Sequence, residues 1–344
     1  MKILMIGLGA IGQRHVRNLR TLLGCQVELI AYRARNLPTI LTDHMQVEPG
    51  SDLHSKYDIR PFDRLEEALD QKPDVTFICN PSSFHIPAAL RAARGGSHLF
   101  IEKPLSHDLE GVEELARLVE EKGLVAHVGY QMRFHPCLQR LHTLLSAGSI
   151  GKVLAVHAEV GEYLPNWHSY EDYRQSYAAR RDLGGGALLS QIHEFDYLYW
   201  FFGLPRRVFT VGGHLSSLEI DVEDIASTLM EFQVDGYLIP VHLQQDYVQR
   251  PPSRTCQVIG DAGRILVDLN ALSVRLYDTN GQVTEETSLP GFQRNQLFLD
   301  ELRHFLACVN GEEQPLVDIR EGAQSLRIAL AAKESLKTGK VVTL

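Results

Sequence analysis

Gly7-Leu8-Gly9-Ala10-Ile11-Gly12 follows directly on the apolar run Ile3 to Ile6 and opens a helical stretch through Val16 and Leu19. A short, continuously apolar run reads as a strand buried on both faces. Gly7 permits a tight turn, Gly9 lets the backbone approach a pyrophosphate, and Gly12 lets helix and strand pack closely, while the helix N-terminus adds partial positive charge. A second apolar strand, Val27 to Tyr32, completes the order strand, turn, helix, strand. The reading is therefore a dinucleotide cradle made by Gly7, Gly9, Ala10, Ile11 and Gly12, in preference to a purely structural glycine turn.

The next 90 or so residues repeat the grammar, with apolar runs at Val75 to Cys79, Leu99 to Glu102 and Val125 to Gly129. Helical periodicity lies between them, at Ile86 to Arg94 and through Leu109, Val112, Leu115, Ala116 and Val119, the latter with Ser106 or Asp108 as cap. Strands alternating with helices imply a parallel sheet with crossover helices. Past residue 150 the period becomes two: Leu154, Val156, Ala158 and Val160 share one face, as do Thr228, Met230, Phe232 and Val234. Turn signals at Gly260-Asp261-Ala262-Gly263 and Asp278-Thr279-Asn280-Gly281 imply antiparallel pairing, before helical spacing returns at Phe298, Leu302, Phe305, Leu306 and Val309 and at Ala323, Leu326 and Leu330. The expected fold is α/β in two domains, a nucleotide-binding domain over residues 1–125 and a substrate and oligomerisation domain over 126–344, which suits a chain of 344 residues.

A net charge of -9 argues against nucleic acid or an anionic membrane as partner, because counterion release needs a basic face. No apolar run is long enough to span a bilayer, the N-terminal apolar run carries no cleavage-type end, and five scattered cysteines without a C-x-x-C read as reduced thiols. The expected setting is cytoplasmic.

A carboxylate at the end of the second strand usually holds the ribose hydroxyls of NAD. Between Glu28 and Asp43 there is none; Arg33 and Arg35 stand there, guanidinium groups suited to the 2′-phosphate of NADP unless both are simply solvated. NADP is the expected cofactor, with NAD the alternative.

Taken in order, several motifs resemble the glucose-fructose oxidoreductase / inositol dehydrogenase / MocA-like family over nearly the whole chain. They are the Gly7 to Gly12 turn, Asn80-Pro81-Ser82-Ser83-Phe84-His85, Glu102-Lys103-Pro104, Gly184-Gly185-Gly186 followed by His193 and Asp196, Asp224, Gly260 with Gly263, and Ala331 to Ser335. The resemblance implies a Rossmann domain, a second α/β domain with a large open antiparallel sheet, and NAD(P)-dependent hydride transfer at a secondary hydroxyl or keto group of a sugar, cyclitol, sugar acid or nucleotide sugar. It places Asn80, Pro81, Ser83 and His85 beside the cofactor, Glu102 on the nicotinamide ribose, and Lys103 near both nicotinamide and substrate hydroxyl. A lysine beside a cationic nicotinamide has its pKa lowered and can exchange protons near neutral pH.

His193 is the second catalytic candidate. Many members of the family have an aspartate four residues before this histidine, where this chain has Leu189. His193 is thus expected to relay with Lys103 alone or with a group from elsewhere, and Asp196 to orient the imidazole or cap nearby backbone. Arg133, with His135, sits where similar proteins meet nicotinamide and substrate. The stretch holding Trp167, His168, Tyr173 and Arg180 combines aromatic faces for sugar C–H surfaces with guanidinium groups for an anion, or else forms a packed loop. His193-Glu194-Phe195-Asp196 lacks the H-E-x-x-H spacing, so no metal site is expected. A tightly held NAD serving a net non-redox lyase, isomerase or hydrolase step, or a non-catalytic sensor of nucleotide and sugar, are the alternatives. A wide sheet face rarely left to water implies a homodimer or homotetramer.

Overall fold

The computed structural model describes residues 1–33, 40–42, 46–48, 52–168 and 170–344. Six parallel strands form the first sheet: β1 (Lys2–Ile6), β2 (Glu28–Tyr32), β3 (Ile59–Phe62), β4 (Val75–Ile78), β5 (His98–Glu102) and β6 (Ala126–Gly129). Their order, β3-β2-β1-β4-β5-β6, is that of a doubly wound dinucleotide-binding sheet. Strand β3 has no signal in the apolar pattern, because Ile59-Arg60-Pro61-Phe62 is an edge strand in which only Ile59 is buried.

Alternate residues of each strand face opposite layers. Ile3, Met5, Phe77 and Phe100 pack under helix α1 (Ala10–Leu23), while Leu4, Ile6, Ile78 and Ile101 meet α2 (His85–Arg94) and α3 (Val112–Glu121). Helix α3 begins later than Leu109 suggests: Leu109 is exposed, and Gly111, with φ 71°, is the N-cap in place of Ser106 or Asp108.

Past α4 (Pro136–Ser146), a nine-stranded sheet comprises β7 (Val153–Gly161), β8 (Pro205–Gly213), β9 (Ile225–Val234), β10 (Tyr237–Asp246), β11 (Ser253–Gly260), β12 (Gly263–Asp268), β13 (Ser273–Tyr277), β14 (Val283–Ser288) and β15 (Val342–Thr343). The expected antiparallel pairing holds everywhere except between β7 and β10, which run parallel in the order β14-β13-β12-β11-β7-β10-β9-β8-β15. The chain leaves β7 through a long crossover carrying α5 (His193–Phe202) and comes back to β7 only after the β8–β10 meander, a path long enough for a parallel return. Helices α5 and α7 (Ile319–Thr338) cover the inner face, whereas α6 (Asn295–Val309) crosses back to the first sheet, where Leu302 and Phe305 pack on Phe77 and Phe100. The C-terminal chain thus lies beside α1 and completes the cover of that face of the Rossmann sheet. Among the described residues, no helix is long and apolar enough to cross a membrane.

Candidate active site

One cavity of about 1290 Å³ runs from the carboxyl ends of β1, β2 and β4 to the inner rim of the second sheet. That exceeds the several hundred Å³ of a site for one small ligand and leaves room for a dinucleotide and a second molecule.

At one end, Gly7 has φ +94°, and a Cβ there would come within 2.8 Å of the Cys79 carbonyl oxygen. A Cβ on Gly12 would meet the Gly7 oxygen at 2.2 Å, so Gly12 lies beneath the turn while Gly7, Gly9, Ala10 and Ile11 line the cavity. Nothing lies within 4 Å of a Cβ built on Gly9, and α1 begins there without a side-chain cap or an acid in its first turn. Open space over uncapped helix amides fits a pyrophosphate. Arg33 also lines the cavity and donates from Nη1 to His54 Nε2 at 3.2 Å; burial and the Arg33 charge hold His54 below its ordinary pKa, which suits it as acceptor. Arg35 lies outside the described residues.

Asn80, Pro81 and His85 line the next stretch, and the buried Asn80 Oδ1 has no partner among the described residues. Both His85 nitrogens are engaged by carbonyls, Nδ1 with Pro104 at 2.9 Å and Nε2 with Asn80 at 2.7 Å, so this side chain positions the two loops it joins. Ser83 does not line the cavity; its neighbour Ser82 does, and its hydroxyl donates to the Leu183 carbonyl. Glu102 is anchored by His15 of α1, Nε2 to Oε1 2.6 Å, and its second oxygen accepts the Lys103 amide at 3.2 Å.

Lys103 projects from the end of β5 and donates from Nζ to the Ser190 carbonyl at 2.8 Å, bridging the two sheets' domains. His193, at the first turn of α5, lines the same cavity; its Nδ1 is buried without a partner among the described residues, and its ring lies near-perpendicular to that of Tyr130 with the ring centres 6.0 Å apart. Burial, then the charges of Lys103, Arg254 and Arg294, push its pKa well below the ordinary histidine value, so the imidazole is neutral at pH 7. Leu189 is core, 1% exposed, and carries no proton.

Trp167 and His168 also line the cavity, with Tyr170 and Glu171, and His168 Nδ1 lies 2.8 Å from Glu171 Oε1. Four expected substrate residues are placed elsewhere. Arg133 is 1% exposed and grips Asp196 through Nε and Nη2, at 3.0 and 2.8 Å, with Nη1 on Glu321. Ser325 donates to the same Asp196 carboxylate at 2.9 Å. Both charges are buried, and a buried charge needs a paired, hydrogen-bonded partner, so Arg133 and Asp196 satisfy each other instead of a ligand. Arg180 pairs with Asp182 at 2.6 Å, and the Tyr173 hydroxyl accepts the Glu219 amide at 3.2 Å; neither lines the cavity.

Instead the structure brings Glu162, Gln191, Arg254 and Arg294 to the wall beside Lys103 and His193. Arg254 had a legible signal: it shares the inner, apolar face of β11 with Cys256 and Val258, a place where an arginine requires a partner or a role. Arg294 precedes α6 in a loop and has no such signal.

The family model described as "Oxidoreductase family, NAD-binding Rossmann fold" matches residues 1–130, and "Oxidoreductase family, C-terminal alpha/beta domain" matches residues 142–344. The chain belongs to this oxidoreductase family. Within the family it is similar to scyllo-inositol 2-dehydrogenase (NAD(+)) of Bacillus subtilis, 25% identical over 99% of this chain and 95% of that protein. It is 27% identical to myo-inositol 2-dehydrogenase of Thermotoga maritima, over 100% and 98% of the two chains. A solved probable dehydrogenase from Thermotoga maritima superposes with a TM-score of 0.74 at 25% identity, covering 100% of this chain and 99% of that one.

His135 is the N-cap of α4: its Nδ1 accepts the Cys137 amide at 3.2 Å, a bond that only the imidazole deprotonated at Nδ1 can make. Burial, with Arg254 and Arg294 nearby, pushes its pKa down to about 4. Unfolded histidine takes up a proton near pH 6.5, so stability falls as pH drops from 6.5 toward 4. Between pH 7 and pH 5 the native protein is expected to lose about 2 kcal/mol more than His135→Asn, which keeps a cap without the titration; urea denaturation at the two pH values measures the difference.

Proposed function

We propose that this oxidoreductase transfers a hydride between nicotinamide and a secondary hydroxyl or keto group of a sugar, cyclitol or sugar acid, with Lys103 and His193 as its catalytic residues. The observation that carries the reading is that both line one wall of a cavity whose far end is the uncapped glycine turn. The inositol dehydrogenase names of the two relatives point to the same class of hydroxyl.

The bound nicotinamide supplies acceptance and donation of the hydride. Every proton movement falls to the protein. As a free amine, Lys103 Nζ, held at the Ser190 carbonyl, is placed to take the hydroxyl proton as the C–H bond breaks, and as the resulting ammonium to return it in reduction. The neutral His193 is the adjacent acceptor that passes that proton onward, and with Leu189 in the core the relay runs through these two groups. Glu102, braced by His15, presents a carboxylate to the ribose side, and Arg33 favours NADP over NAD. Trp167, an aromatic side chain lining the same cavity, suits a sugar's C–H surface.

The outer face of the second sheet supports a homodimer or homotetramer. Val211, Leu229 and Leu238 of β8, β9 and β10 are 52%, 53% and 47% exposed there. A reducing, cytoplasmic setting suits the five unpaired thiols, four of them buried.

Lys103→Met is expected to lower kcat by about 10²–10⁴ while NAD(P)H binding, followed by nicotinamide fluorescence, is retained; unchanged turnover sinks the mechanism. Arg33→Ala is expected to raise KM for NADP about tenfold with little effect on NAD, and an enzyme already tenfold better with NADH removes the NADP reading. Leu229→Glu is expected to shift the sedimentation coefficient toward that of a monomer.

A further inference from the structure

We infer that the substrate is a monosaccharide carrying a carboxylate close to its reacting carbon, and that Arg294 and Arg254 bind that carboxylate. The inference rests on the oxidoreductase reading above and names its substrate class.

Arg254 is held from behind. Its Nε donates to Glu194 Oε1 at 2.7 Å, and Glu194, next to His193 in the chain, is fully buried. That bond leaves the Nη1 and Nη2 groups without partners among the described residues, on a side chain 13% exposed at the cavity wall. Arg294, an exposed residue at the start of α6, also lines the cavity, and its guanidinium makes no hydrogen bond or ion pair among the described residues.

Chemistry selects the ligand. A guanidinium donates five N–H bonds and accepts none, so two of them match a carboxylate far better than a neutral polyol, whose hydroxyls also need acceptors. Glu162 and Gln191 on the same wall offer those acceptors for the remaining hydroxyls. Glu162 lies near enough for its charge to be felt by both arginines, yet it forms no ion pair with either, so their donors stay available. Position selects where the anion sits. Arg254 is bonded to Glu194, the residue that follows His193, and Arg294 and Lys103 line the cavity with His193, which the charges of all three reach. The carboxylate is therefore on the sugar's own carbon skeleton, as in a hexuronate or hexonate. The overall reaction stays balanced: the secondary alcohol loses a hydride to NAD(P)+ and a proton to Lys103, and a ketone forms while the carboxylate is unchanged.

The test uses the full chain loaded with NADPH, and titrates D-glucuronate, D-galacturonate, D-gluconate, D-glucose, myo-inositol and glucose 6-phosphate by calorimetry, with NADP reduction and NADPH oxidation followed in parallel. At least one acid is expected to bind about tenfold or more tighter than D-glucose, and Arg294→Gln to remove that advantage while Arg294→Lys restores part of it. Tighter binding of glucose 6-phosphate than of every acid assigns the arginines to a phosphate and overturns the carboxylate. Failure of all three acids to bind, or an acid preference untouched by Arg294→Gln, also overturns it. Acid binding that depends on Arg294 without any turnover keeps this inference and removes the proposed reaction. Turnover of neutral sugars that is indifferent to Arg294→Gln does the reverse. Thermal unfolding of each variant separates loss of binding from loss of fold.

Discussion

The buried carboxylate of Asp196 governs how the two halves of this molecule meet. It sits on α5, three residues past His193, and accepts both Arg133, from the turn after β6, and Ser325 of α7. Arg133 reaches in the other direction to Glu321, whose second oxygen receives the Tyr199 hydroxyl. With neither Arg133 nor Asp196 open to water, loss of one partner leaves a charge in the interior, which typically costs about 3–5 kcal/mol. The same clamp locks the helix that carries His193 against the sheet whose next strand carries Lys103. The placement of one catalytic candidate relative to the other is thus a consequence of burying an ion pair.

Two other contacts work in the same direction. The Lys103 ammonium reaches across to the Ser190 carbonyl, and α6 returns from the second domain to lay Phe305 on the stacked pair Phe77 and Phe100. These contacts leave a cavity with two distinct ends. The glycine turn presents backbone donors and open space, whereas the opposite end gathers Lys103, Arg254 and Arg294 around an imidazole kept neutral. A neutral His193 beside three cations can accept a proton only against their field, so a negative group brought in by a ligand would make that transfer easier.

Much of the first domain is legible along the chain because its signals are local. Five of the six parallel strands show as apolar runs, and the dinucleotide end follows from glycine spacing alone. Strand β3 escapes notice because an edge strand with Pro61 buries almost nothing. The second domain is legible as alternation, but alternation says which face is buried and not which neighbour a strand takes, so the parallel β7–β10 pair is invisible in it. The site shows the same division. Lys103 and His193 stand in motifs, while Arg133, Asp196, Arg180 and Tyr173 are chemically plausible ligands that protein groups have claimed, Arg180 by Asp182 two residues on and the others by partners distant in sequence. Their side-chain types suit a site, yet a guanidinium or carboxylate acts on a ligand only if no protein group has already satisfied it.

The amino-acid sequence by itself determined the Rossmann turn, the change from two-sided to alternating strands, and the lysine at the end of β5, because each depends on the backbone geometry of a few adjacent residues. Only the tertiary structure decided which arginines face the cavity. Arg133 and Arg254 both meet buried carboxylates, but Arg133 is enclosed by Asp196 and Glu321, whereas Glu194 holds Arg254 at one nitrogen and leaves the rest of its fork toward the cavity. That difference lies in long-range packing, where an unsatisfied buried charge is too unfavourable to persist and every chain segment that can supply a partner competes to do so.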